Sequence, residues 1–330
     1  MQFTLNTSCV RELLAPTDGG KPFIELDDLP KYARESLGLH GINLTTDLLK
    51  GSDRKRLETL RERADKAACA CLALIEPEAQ PFGHEDDERG IGAIERTGRV
   101  LRAAGVLGCN AIAITLDTRD DEETFENVVD QMKEVAELAE RLDMNVLLTP
   151  GNGLTAEPER VTELIKRIGG FRIGTMPDFQ VAVGSEDPAL YLRRLTPYAA
   201  MVTATTVDFR LVDQEEMATA TAGGGEQAES SEGSAEEDDD AAIEAALAGE
   251  DGDGFELPTG GLEKLMAMLE EPAEVYAHEP YALDPLVQAV ISVGYDGMLA
   301  VDYRGQEEIT LGILRSVDCL EAALDAAGGK

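Results

Sequence analysis

Residues 110–150 read NAIAITLDTRDDEETFENVVDQMKEVAELAERLDMNVLLTP, and this stretch holds the repeating unit of the chain. It opens on a short apolar run, 110–116, enriched in β-branched residues. In 122–142, Phe125, Val128, Val129, Met132, Val135, Ala136 and Ala139 recur at helical spacing, so one face is apolar and the other charged. A second apolar run, 145–149, closes the stretch. Strand, outer helix and strand in this order predict a parallel pair joined by a crossover helix.

The same alternation recurs outward in both directions. Strands are expected at 3–9, 39–45, 69–75, 110–116, 145–149, 171–176, 200–205 and 298–303, and helices at 53–68, 88–104, 122–142, 158–168, 188–197, 284–293 and 307–326. Eight strands is the number that closes a (β/α)8 TIM barrel, an α/β fold whose chemistry gathers where the strands end. A chain of 330 residues holds one such domain over 1–330, with room for an insertion. That insertion is 214–254, which carries fourteen acidic residues and no Lys or Arg. It is too polar and too like-charged to bury a core, so a disordered acidic insertion is expected between strand 7 and the seventh helix. A lid over the barrel mouth is the alternative role.

The chain carries 65 acidic against 29 basic residues, a formal charge of −36. Attraction to nucleic acid phosphates or an anionic membrane is disfavoured. The insertion accounts for fourteen of these charges and leaves −22 on the rest, so the acidity is general. It suggests a halophilic protein, kept soluble in concentrated salt where screening acts over about 3 Å at 1 M. The basic residues of the first helix alternate with acids and read as a solvated face. The five cysteines include no C-x-x-C pair and read as buried thiols in a reducing cytoplasm. No run of eighteen apolar residues appears, and a cytoplasmic location is expected.

The informative segments lie at the ends of strands five to eight: NVLLTPGNGLTAEPE (145–159), FRIGTMPDF (171–179), AAMVTATTVDF (199–209) and GYDGMLAVDYRG (294–305). Together they resemble the sugar phosphate isomerase/epimerase family, the xylose-isomerase-like barrels, over about 37–305 without the insertion. The resemblance implies a single divalent metal, held by a Glu ending strand five, an Asp ending strand six, a His on strand seven and a Glu on strand eight. The corresponding residues here are Thr149, Asp178, Thr203 and Asp302, so Asp178 is unchanged and Asp302 keeps the charge on a shorter arm. Thr205 stands where relatives often carry a Lys, and Pro150 with Gly151 where they often carry an Asn-His pair.

Moving a proton between neighbouring sugar carbons needs a carboxylate base and a cation that polarises the substrate oxygens. By the resemblance, Asp178 and Asp302 are the candidates for both catalysis and metal binding. Two carboxylates with water suit Mg2+ or Mn2+, and without the histidine tight zinc binding is disfavoured. The implied activity is metal-assisted proton transfer on a small carbohydrate. The rival is a barrel that binds a sugar or partner without turnover.

Further polar residues are candidates for binding substrate. Asn6 and Asn43 lie on strands one and two, Glu76 and Asp117 after strands three and four, and each of these could equally cap a helix. Arg304 and Arg210 could hold an anionic group or pair with neighbouring acids. Asn152 belongs to PGNGL (150–154), which could turn backbone N–H groups to an anion or simply lead into a helix capped by Thr155. Of the three histidines, His84 and His278 read as surface or packed residues, while His40, before Gly41, could point into the barrel. The trinuclear-zinc endonucleases of the same superfamily need many histidines and a basic groove, and this chain has neither.

Overall fold

The computed structural model describes residues 1–16, 20–212 and 275–328. The acidic stretch 214–254 lies outside the described residues. The chain divides into two compact units, residues 1–210 with 277–330, and Leu211–Tyr276. The first contains the barrel.

Eight parallel strands carry it: β1 Gln2–Asn6, β2 Gly41–Thr45, β3 Ala70–Gln80, β4 Ala111–Leu116, β5 Asn145–Leu148, β6 Ile173–Thr175, β7 Met201–Thr206 and, last in the chain, β10 Met298–Tyr303. They are ordered β6-β5-β4-β3-β2-β1-β10-β7. The remaining gap, between β6 and β7, is spanned by parallel bridges Thr175 to Ala199 and Asp178 to Thr203. The Thr203 N–H donates to the Pro177 carbonyl at 2.8 Å, so the ring is closed next to the residue that the family likeness singles out, Asp178.

Small inward side chains make this possible. Ala73, Ala111, Ala113 and Ala300 pack with Leu147, Met176 and Met201 in the barrel interior. Eight strands leave an interior just wide enough for side chains to fill it, so these residues form a plug rather than a channel. Outside lie α3 Arg54–Lys66, α4 Asp87–Leu107, α5 Glu122–Arg141 and α6 Pro158–Ile168. The apolar stripe of α5 is buried as its spacing predicts, from Phe125 to Ala139.

All eight expected strands are present, with three local differences. The first ends at Asn6 rather than residue 9, because Thr7–Val10 turn into a 3-10 helix and lead into α1 Arg11–Leu14. Besides α1, two helices were not expected, α2 Leu29–Glu35 and α7 Phe179–Gly184, each short and weakly patterned. A separate two-stranded sheet pairs β8 Asp208–Leu211 with β9 Tyr276–Glu279. The outer ring continues with α8 Pro188–Leu195, α9 Asp284–Ser292 and α10 Ile309–Ala326.

Candidate active site

The strand ends surround a cavity of about 300 Å³ at the C-terminal mouth of the barrel. Asn6, Thr149, Asp178, Thr203, Asp302 and Arg304, all expected from the sequence, line it. Ile75, Pro77, Met176 and Val181 give it apolar wall.

Asp178 follows β6 and caps α7. Its Oδ1 accepts the N–H groups of Gln180 at 2.7 Å and Val181 at 3.3 Å, satisfying donors that a helix start leaves without partners. Its Oδ2 accepts from the Thr205 hydroxyl at 2.9 Å and from Arg304 Nη2 at 3.2 Å. Burial pushes the Asp178 carboxyl above the usual carboxylate range, and the Arg304 charge pulls against that rise.

Asp302 sits near the end of β10, paired in register with Thr205 of β7. Ser8 donates to its Oδ1 at 2.7 Å. Arg304 reaches its Oδ2 with Nη2 at 2.6 Å and with Nε at 3.1 Å. The fourth donated bond of the guanidinium runs from Nη1 to Gln180 Oε1 at 2.8 Å. One arginine therefore joins two buried carboxylates and the start of α7. Burial works against its charge, but Asp302 and Asp178 more than reverse that and hold Arg304 above its ordinary value.

A carboxylate pair offers about eight acceptor positions, four on each group. Asp178 uses four, to Gln180, Val181, Thr205 and Arg304, and Asp302 uses three, one to Ser8 and two to Arg304. Among the described residues no group of three or more His, Cys, Asp or Glu is arranged to hold a metal ion.

The other lining groups differ in what they leave open. The Thr149 hydroxyl is engaged with the Thr115 hydroxyl at 2.6 Å and the Ile114 carbonyl at 3.2 Å. Asn43 is fully buried beneath the cavity and does not line it; it donates to Thr4 Oγ1 at 3.1 Å and to Asn6 Oδ1 at 3.0 Å. Accepting that bond fixes the Asn6 amide, and its Nδ2 makes no hydrogen bond among the described residues. Thr203, on β7, has its hydroxyl without a hydrogen bond among the described residues.

Three expected binding residues lie elsewhere. His40 is exposed just before β2, which starts at Gly41 rather than at residue 39, and it lies at the N-terminal end of the strand, opposite the mouth. Asn152 is exposed and outside the cavity lining, at the start of a one-turn 3-10 helix. Arg210, on β8, pairs with Glu279 at 3.8 Å. Glu76 is likewise committed, held by Arg96 Nε at 2.7 Å and by the Thr46 hydroxyl at 3.2 Å.

Ser8, Arg11 and Gln180 belong to the site and were not expected. Arg11 lines the mouth while pairing with Asp47. Ser8 lies in the 3-10 helix Thr7–Val10, where the sequence predicts continued strand, so no local pattern aims it at the site. His278 is packed, as the sequence suggests, and lies edge-on to Phe209 with ring centroids 5.6 Å apart.

The xylose isomerase-like TIM barrel family model matches residues 31–213, and the chain belongs to that family. Solved structures confirm the fold over nearly the whole chain. An L-ribulose 3-epimerase is 12% identical with a TM-score of 0.66, covering 99% of this chain and 95% of that one. A D-psicose 3-epimerase from Clostridium cellulolyticum H10, solved with D-tagatose, is 13% identical with a TM-score of 0.61, covering 99% and 98%. An IOLI protein with a bound zinc atom is 15% identical with a TM-score of 0.61, covering 99% and 98%. No curated protein matches the sequence. Among the described residues no helix is long and apolar enough to cross a membrane.

Proposed function

We propose that the chain is a sugar isomerase/epimerase-like barrel that binds a small polyhydroxy compound in the mouth cavity. The observation that carries this reading is that three residues lining one cavity with an apolar wall, Asn6, Thr203 and Arg304, each keep a side-chain donor that makes no hydrogen bond among the described residues. Three spaced donors beside Ile75 and Met176 suit hydroxyl oxygens and the carbon face of a sugar. A volume of about 300 Å³ accommodates a single sugar unit. That several structural neighbours are sugar epimerases supports the same ligand class.

The residues at the family's metal positions do not fit a resident Mg2+ or Mn2+. Thr149 and Thr203 are weak ligands, and seven of the roughly eight acceptor positions on Asp178 and Asp302 are already filled. The donated hydrogen bonds and the Arg304 charge stabilise the ionised form of Asp178 and so oppose its use as a base, although burial works in the other direction and raises its pKa. Binding without turnover is therefore the reading the geometry favours over metal-assisted proton transfer. Calorimetric titration with D-tagatose, D-psicose and L-ribulose in EDTA tests it. Saturable binding that Thr203→Val weakens is expected, and a flat titration with all three sugars would remove the reading.

A further inference from the structure

We propose that Arg304 is the resident cation of this mouth, standing between Asp178 and Asp302 where the family places a divalent metal, so that the site works without one. This rests on reading the mouth as a polyhydroxy-compound site, but it is tested separately below.

The geometry is that of a bridging charge. Nη2 of Arg304 is 2.6 Å from Asp302 Oδ2 and 3.2 Å from Asp178 Oδ2. The two carboxylates come from opposite sides of β7, at the start of α7 and near the end of β10, and one guanidinium nitrogen spans them. Both are buried, and two buried carboxylates this close require a compensating positive charge. Arg11, the other arginine at the mouth, is engaged with Asp47 and Thr45. A guanidinium stays charged at any working pH, so it cannot step aside by deprotonation when a metal approaches. A divalent ion would have to displace it and strip the Ser8 and Thr205 hydrogen bonds as well.

The replacement changes what the site offers a ligand. A metal ion presents several open coordination positions, whereas Arg304 has donated four hydrogen bonds and keeps one N–H, on Nη1 beside Gln180. Its contribution to ligand binding is a single directed hydrogen bond from a fixed positive charge.

The test compares wild type with Arg304→Met, which keeps an apolar stem of about the length of the arginine's aliphatic part and removes the charge and the fork. Thermal midpoints in EDTA and in millimolar Mn2+, together with Mn2+ titration followed by electron paramagnetic resonance, give readouts independent of any activity. Wild type should show no Mn2+-dependent shift. Arg304→Met should be destabilised in EDTA, regain stability in Mn2+, and bind Mn2+ at least about tenfold more tightly than wild type, because the carboxylates are then left without compensation. Adding Asp178→Asn to Arg304→Met should abolish that gain. If Arg304→Met does not fold in EDTA, refolding yield with and without Mn2+ gives the same readout, with rescue expected. A wild-type midpoint that rises with Mn2+ and loses the rise in Asp178→Asn overturns the assignment, and so does an Arg304→Met protein that gains nothing from Mn2+. Sugar titrations run beside these keep the two ideas apart: no sugar binding in either buffer removes the ligand reading and leaves the metal readout to decide on Arg304.

Discussion

The imidazole of His278 accepts a hydrogen bond on Nε2 from the Val207 N–H at 2.9 Å, while its Nδ1 lies 2.8 Å from the Tyr281 carbonyl. The two bonds together require the neutral ring with its proton on Nδ1, since a second proton on Nε2 would leave the Val207 N–H facing a donor. The Tyr281 hydroxyl in turn donates to the Thr205 carbonyl at 2.5 Å, so the ring is tied to β7 beside the site.

Stability should therefore fall on mild acidification. Burial lowers the His278 pKa below its ordinary 6.5, and the charges of Asp208 and Glu279 oppose this only in part. The folded state then binds fewer protons than the unfolded one, so the contribution is complete above about 6.5 and is lost as pH falls from there towards the lower folded value. The melting temperature of wild type minus that of His278→Phe, measured from pH 7.5 to 5, should decline below about 6.5. A difference that stays constant across this range would show that the ring is not held neutral.

Asp178 should matter to the fold as well as to the mouth. Asp178→Ala removes the acceptor for two N–H groups at the start of α7 and one partner of Arg304. The lost cap alone should cost about 1 kcal/mol, with a smaller addition from the half-exposed Arg304. Asp178→Asn, which can still cap, should cost less in urea unfolding. Equal losses for the two variants would assign the effect to the ion pair instead.

Gly305 sets the close approach of the chain beyond β10 to β7. A Cβ there would collide with the Val207 carbonyl and with the Tyr303 side chain. The neighbouring Arg304 N–H donates to the Thr206 carbonyl at 2.8 Å, and this contact would have to open. Gly305→Ala should lower stability by about 1–3 kcal/mol and weaken sugar binding by moving Arg304. Unchanged denaturation and unchanged titration would show that the segment yields freely.

The charge of −36 predicts a salt response. If acidic self-repulsion opposes the compact state, raising KCl from dilute buffer to above 1 M should increase the melting temperature, as screening shortens to about 3 Å. A flat or falling curve would argue against a halophilic protein.

The amino-acid sequence by itself determined the eight strands and the principal outer helices, because hydrophobic periodicity is a local property: the spacing from Phe125 to Ala139 can bury one face of only one kind of element. It also placed Asp178, Thr203, Asp302 and Arg304 near strand ends, which in a closed barrel all face one mouth. His40 was misplaced by a shift of two residues at the start of β2, a boundary that side-chain pattern defines poorly. What tertiary structure alone decided is how the charges are shared. Ser8 and Asp302 are 294 residues apart in sequence and 2.7 Å apart in space, and Arg304 reaches Asp178 across 126 residues. No local signal distinguishes an arginine that awaits a ligand from one already holding two carboxylates, because that difference is set by ring closure, which fixes the distances between strand ends.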